Sequence, residues 1–406
     1  MTTFALASCQ YPTDMLERMP DFTNLPDGPL ATPGPADASL LALGKIVLPP
    51  AGVGKPEPAA APPTLLLLVG DQVYTDGTAG LFDPKAPDDK YRIPYLSRKE
   101  GRGLRDVKMG FGTRIQYLPD DHEIGDNWEP GGPVDPKDGI EGFWKYQRNV
   151  LQPVSGQPVW RNDLVHDGLP FFLGDTRTER DGRTVENVSR PDAYGRTVQH
   201  WSSARIVGDA QFKALCDWLV APGNAALPKF VATPSALLPR RLAVARDPAC
   251  ALHSDAWDGY PRSLHDLLSH ACDNNVEGLV FLSGDEHISN VVEACVTDSR
   301  NPKNQCVLHS VHSSALYAPY PFANAIQEDF ARSETFNFPD PYKGPYCCKV
   351  NTWYPPEGDG FAVLTAVPSS GGRWDLNVVF HGANGPKVFR DPKCTKKPQP
   401  DPITLF

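Results

Sequence analysis

Short apolar runs, set between stretches rich in proline, glycine and charge, predict a chain of buried strands with helices between them. Residues 65–69 (LLLLV) are all apolar. Such a run is long enough for a strand covered on both faces and too short for a lone helix. Further strands are expected at 4–8, 114–118, 170–173, 230–233, 278–282, 360–367 and 374–380. Residues 208–219 (GDAQFKALCDWL) place apolar side chains at helical spacing behind Asp209 as an N-cap. Segments 38–45, 143–150 and 263–272 also read as helical. Residues 24–63 are thick with Pro, Ala and Gly and read as a long exposed connection around the first helix. Residues 76–108 are polar and carry many loop signals. No internal repeat is evident.

The ends of these strands carry the chemistry. Cys9 follows the first, Gly70-Asp71 the second, Asp120-Asp121-His122-Glu123 the third, and Asp285-Glu286-His287 the strand at 278–282. In open α/β sheets ligands bind beyond the carboxyl ends of strands. Carboxylates that converge there repel one another unless a cation sits among them. Hard oxygen donors suit Ca²⁺, Mg²⁺, Mn²⁺ or Fe³⁺, and a histidine and a cysteine shift one position toward a transition ion. A phenol with an ordinary pKa of about 10 ligates only after losing its proton, so Tyr74 favours a strongly polarising ion such as Fe³⁺. Two ions roughly 4 Å apart would clamp a phosphoryl group and supply hydroxide at neutral pH, with Asp71 shared between them. His122 would stand at the edge and protonate a leaving alkoxide, its tautomer fixed by Glu123 or a backbone carbonyl. Asp285 and His287, two apart, are expected on one side of an extended segment. Arg177 and Arg180 would grip phosphate through paired N–H donors, or else pair with Asp175 and Glu179. Asn127 is either a substrate contact or part of a plain turn with Asp126.

Composition narrows the field. The 406 residues carry a formal net charge of −10, so no broad basic face exists for a nucleic-acid polymer or an anionic membrane. No run reaches the roughly 18 apolar residues of a membrane span. The start, MTTFALASCQYP, lacks a basic region, a long apolar stretch and a twin arginine. A cytoplasmic location is expected as numbered, and a periplasmic or secreted one if a leader was removed. Nine cysteines without CxxC spacing argue against a zinc knuckle. A disulfide among Cys306, Cys347, Cys348 and Cys394 is left open.

The motifs SCQ (8–10), GDQVYTDG (70–77), DDHEIGDNW (120–128), GDTRTER (174–180) and SGDEH (283–287) resemble, in order, those of the PhoD-type alkaline phosphatases. That family lies within the calcineurin-like metallophosphoesterase superfamily, and the similarity runs from Cys9 to at least Tyr317. The resemblance implies an α/β fold, a four-layer α/β/β/α sandwich of the metallophosphoesterase type, as a single domain over 1–406. It implies hydrolysis of phosphate monoesters, diesters or both by a metal-bound hydroxide, acting on a small phosphorylated substrate. On the same ground Cys9, Asp71, Tyr74 and His287 would hold Fe³⁺. Asp71, Asp121 and Asp285 would hold a second ion, Ca²⁺ in this family, with Mn²⁺ or Zn²⁺ as alternatives, and His122 would be the acid. The family commonly carries a twin-arginine signal and a small β-rich domain before the cysteine strand, and neither is seen here. The 24–63 insertion is also unusual and is expected to be a lid or an oligomer contact. Rival readings are a diesterase for a nucleotide, phospholipid or teichoic-acid-like substrate, and a metal-stabilised binding protein without turnover. A calcium-structured adhesion module fits the histidine and cysteine tips poorly. Oligomeric state is left open.

Overall fold

Every apolar run that ends in a polar tip is a strand: β1 spans Thr2–Gln10, β2 Leu65–Val69 and β3 Ile115–Leu118. The computed structural model describes residues 1–11, 35–48, 61–77, 83, 85–151, 153, 156–183, 203–319, 325–338, 344–387, 389–390, 396–397 and 402–405. β4 (Arg161–His166), β5 (Leu169–Leu173), β6 (Lys229–Ala232) and β7 (Leu279–Ser283) follow. Then come β8 (Asn290–Asp298), β9 (Asn301–His312), β10 (Ala315–Tyr317), β11 (Ser333–Phe338) and β12 (Tyr346–Trp353). β13 (Phe361–Pro368) and β14 (Trp374–Gly382) lie near the end of the chain.

These strands build a mixed α/β fold around two large sheets. The first runs β14-β13-β1-β2-β3, with β10 and two short segments attached. The second runs β11-β12-β8-β9-β7-β6-β5-β4. β1, β2 and β3 are parallel, with Ala7 opposite Leu68 and Val69 opposite Leu118. That register delivers Cys9, Asp71 and Asp120 to one rim. The run at β2 shows why both faces had to be apolar. Leu65, Leu67 and Val69 enter the cluster shared by the two sheets, with Phe171, Phe230 and Val280 from the second sheet. Leu66 and Leu68 enter the cluster under the helices, with Leu40, Leu104 and Phe143. Each buried leucine is worth about 1.5–3 kcal/mol, so a polar residue here would be expensive on either face. A third cluster joins the far face of the second sheet to helices Asp209–Leu219 and Pro261–Asp273.

Several expectations are corrected. The polar stretch 76–108 is not simply loop, because it contains the helices Ile93–Glu100 and Arg102–Phe111. The second of these buries Leu104, Val107 and Phe111 at helical spacing, which the intervening Arg and Lys residues hide. The helix expected at 143–150 is Lys137–Tyr146. Gly208, not Asp209, is the N-cap of the next helix, in extended conformation, and Asp209 lies in its first turn. Within the proline-rich connection, helix Ala38–Val47 is present, and most of the remainder lies outside the described residues. All eight described cysteines are free, and Cys394 lies outside the described residues. Among the described residues no helix is long and apolar enough to cross a membrane.

Candidate metal centre

The strand tips meet because two glycines let backbone pass where a side chain could not. A Cβ on Gly70 would sit 2.7 Å from the Asp120 Cβ, and Gly70 itself has φ +88°. A Cβ on Gly284 would sit 2.2 Å from the Ser8 Cβ, so only glycine lets the β7 tip of the second sheet reach the β1 tip of the first. Beyond these glycines the chain turns left-handed at non-glycine residues, with φ 52° at Cys9, 52° at Asp71, 74° at Asp285 and 56° at His287. Each such residue stores on the order of 1–3 kcal/mol of strain, and such strain clusters at functional sites. The same angles correct the expectation of an extended segment for Asp285 and His287. A curled backbone, rather than strand alternation, directs them to different parts of the site.

The resulting donor sets overlap. Cys9, Asp71 and His287 form one group, Asp71, Asp121 and His122 a second, and Asp71, Asp120, Asp121 and Asp285 a third, the offered atoms of each lying within 4.8 Å of one another. Asp71 belongs to all of them. Cys9 Sγ lies 3.5 Å from Asp71 Oδ2, and the Tyr74 hydroxyl lies 3.3 Å from His287 Nε2. Burial, reinforced by Asp71, pushes the Cys9 thiol well up. Burial, reinforced by Asp121, pushes the Asp71 carboxyl up. Asp285 moves the same way through burial and the charges of Asp255 and Asp120. Tyr74 is raised by burial and then by Cys9 and Asp71. All four shifts share one leading cause, burial, and neighbouring anionic donors add to it. Asp120 Oδ2, Asp121 Oδ1 and Asp285 Oδ2 are buried with no hydrogen-bond partner among the described residues. Buried carboxylate oxygens without hydrogen-bond donors, on residues gathered in one cluster, are the donor set a hard cation requires.

His122 stands at the edge of this cluster. Its ring lies 4.1 Å from the Tyr74 ring, and its Nε2 is 4.0 Å from Asp121 Oδ2. Its Nδ1 is 2.7 Å from Asp76 Oδ1, so Asp76, and not Glu123, orients the imidazole. Glu123 has a different task, accepting the N–H groups of Asp71, Gln72 and Asp120 and so tying the β2 and β3 tips together. Burial opposes protonation of His122, but Asp121, Asp71 and Asp76 outweigh it and hold the imidazolium well above its ordinary range. Asp121 is opposed by burial too, yet His122 and Arg177 hold it low. The Asn127 N–H donates to Asp121 Oδ2 at 2.6 Å, while its side chain bonds to Asp126 at an exposed turn.

The arginines lie deeper than expected. Arg177 is fully buried, its Nε 2.6 Å from Asp120 Oδ1 and its Nη2 2.8 Å from Asp255 Oδ2. Arg180 is buried beside it, bonded to the Thr176 and Asp255 carbonyls. Neither takes the expected Asp175 or Glu179 as its ion partner, and both stand behind the carboxylates rather than in front of them. Asp76 and Asp255 are the residues at the site that sequence reasoning passed over, and Asp120 was read there as a strand tip without a role of its own. Asp76 lay inside a quoted motif (GDQVYTDG), and Asp255 in SDAWDGY had no strand tip to mark it.

Residues 57–350 match the family model of the PhoD-like phosphatases. The chain belongs to that family. Membership supports a phosphoric ester hydrolase that binds metal. Among solved structures, one described as the structure of PhoD aligns with a TM-score of 0.54 at 14% identity, covering 99% of this chain and 68% of that one. At that identity the likeness speaks for the fold. A purple acid phosphatase, PPD1 from yellow lupin (Lupinus luteus) seeds, aligns at 11% identity over 94% of this chain and 52% of its own, with a TM-score of 0.44, too low to carry an argument. No curated protein sequence gives a significant match.

Proposed function

We propose that the chain is a two-metal phosphoesterase acting on small phosphate monoesters, diesters or both. The observation that carries the reading is the sharing of Asp71 among donor sets of different chemistry. The set with a thiol and an imidazole, Cys9, Asp71 and His287, with Tyr74 beside it, suits Fe³⁺. The all-carboxylate side, Asp71, Asp121 and Asp285, suits Ca²⁺ or another divalent ion, and Asp120 adds an oxygen to it. When bound, the two ions would supply a hydroxide nucleophile at neutral pH and neutralise charge on the phosphoryl oxygens. This chain's residues do the rest. Asp76 and the Tyr74 ring hold His122 so that Nε2 faces the cluster, where it donates a proton to the departing oxygen. Glu123 and the Asn127 N–H fix the carboxylates, and Arg177 supplies permanent positive charge behind them. Three apolar clusters, one between the sheets and one on each outer face, support a four-layer α/β/β/α sandwich. Phe4 and Leu405 both enter the inter-sheet cluster, which supports a single domain.

The test is hydrolysis of nitrophenyl phosphate and bis(nitrophenyl) phosphate by protein of measured metal content, with Asp71→Asn beside it. Turnover that disappears with the metals and in D71N is expected, and the ratio of the two rates assigns monoesterase or diesterase character. Tight metal binding with no turnover of either ester would point to a binding protein instead.

A further inference from the structure

The sequence offered Arg177 and Arg180 either to grip phosphate or to form ion pairs, and the fold spends both on buried partners. Their side chains are 0% exposed, and that of Arg183, bonded to Glu129, is 6% exposed. Arg241 differs. Its side chain is 30% exposed and bonded through Nη2 to Glu286, the residue between Asp285 and His287. Its backbone is fixed, with the N–H donating to Asp258 Oδ2 at 2.7 Å and a bridge to Phe330. The guanidinium rests over the Phe330 ring, 5.3 Å from its centroid. Its Nε is buried and has no hydrogen-bond partner among the described residues, so the exposed part of the side chain lies elsewhere on it. The result is a planar cation, anchored at its base, tethered to the segment that carries two metal-donor candidates, and partly open to solvent.

We propose that Arg241 is the residue of this site that grips the phosphoryl group, which rests on the phosphoesterase reading above. A phosphoryl group arriving at the carboxylate cluster presents more oxygens than two ions and one imidazole satisfy. A guanidinium fork at the rim meets a remaining non-bridging oxygen with directed N–H donors. Glu286 holds the fork near the cluster, and Phe330 keeps the stem from collapsing onto it. Because the grip is electrostatic, it favours a monoester dianion over a diester monoanion. Arg241 is thus a determinant of which ester is taken.

The experiment is calorimetric titration of inorganic phosphate into the metal-loaded protein, comparing wild type, Arg241→Gln and Arg241→Lys, with steady-state kinetics on both nitrophenyl esters. Gln keeps a donor for Glu286, and Lys keeps the charge without the fork. R241Q is expected to weaken phosphate binding about 10- to 100-fold, the range for a charged hydrogen bond, and to raise KM more for the monoester than for the diester. R241K is expected to recover part of the affinity, and metal content to stay unchanged. Wild-type turnover together with undiminished phosphate affinity in R241Q would overturn this assignment and leave the hydrolase reading standing. Arg241-dependent phosphate binding without wild-type turnover would uphold the assignment while the hydrolase reading fell. If R241Q loses its metals, R241K decides: phosphate affinity below wild type in a metal-replete R241K supports the fork, and full retention defeats it.

Discussion

Replacing Arg177 with methionine separates a structural cation from a substrate-binding one. Its guanidinium lies 2.6 Å from Asp120 Oδ1, 2.8 Å from Asp255 Oδ2 and 3.7 Å from Asp121 Oδ1, with no exposed side-chain surface. Burial works against its charge, and the three aspartates outweigh burial and keep it protonated. Methionine fills the volume but strands Asp120 in a dry interior, while Asp255, partly exposed, keeps Arg180 at 3.9 Å. Breaking a buried pair by removing one partner is destabilising by about 3–5 kcal/mol. Unfolding entropy of about 2.1 cal/mol/K per residue gives roughly 0.9 kcal/mol/K for a chain of this length, so Tm should fall by about 3–6 °C. Adding Asp120→Asn should restore part of that loss, since a neutral amide is less penalised by burial than an unpaired carboxylate. Thermal melts of wild type, R177M and R177M/D120N, all in chelator, give the measurement. An unchanged Tm in R177M would refute the reasoning, and a selective loss of phosphate affinity with it would return Arg177 to the substrate.

Asp76→Asn should lower kcat by about 10- to 100-fold, a part of the contribution of general acid catalysis, while leaving KM unchanged. The deficit should be larger for an alkyl phosphate than for a nitrophenyl ester, whose leaving group needs no proton, and equal deficits would contradict the role of His122. A ferric ion next to the Tyr74 phenolate should colour the protein, and Tyr74→Phe should bleach it; visible spectra at matched iron content decide. Burial holds His309 down at about 4 and His312 at about 3. Both bind protons more readily unfolded, so their contribution is complete above the ordinary histidine value of about 6.5 and is lost as pH falls through it toward 4. His309→Gln should therefore reduce the pH slope of stability between pH 6 and 4.5 by up to about 1.4 kcal/mol per pH unit, read from urea midpoints. A slope that stays the same or steepens contradicts the buried neutral imidazole.

The parts of the fold legible in the sequence are those where burial is two-sided. Leu65–Val69 reads as a strand because the sheet core and the helix layer each demand an apolar face. β8, β11 and β12 did not stand out, because their exposed faces carry polar residues such as Glu293, Lys349 and Asn351 among cysteines and threonines. The tips Cys9, Asp71 and Asp121 were legible because β1, β2 and β3 run parallel in one sheet and share a rim. Asp285 instead comes from β7 of the second sheet, which meets that rim at Gly284. Pairings across that rim were not legible. Asp76 reaches His122 through a loop, Arg177 turns inward to Asp120, and Arg241 reaches Glu286 from the segment after β6. No period in the sequence encodes such contacts, which depend on how the two sheets meet.

The central claim is that two cations share Asp71. Anomalous diffraction from crystals of metal-loaded protein, collected on both sides of the iron edge, tests it most directly. The expected result is an iron peak within bonding reach of Cys9 Sγ, Asp71 and His287, with a second ion about 4 Å away against Asp71, Asp121 and Asp285. Full hydrolytic activity in crystals or solution with no metal peak at Asp71 would contradict it.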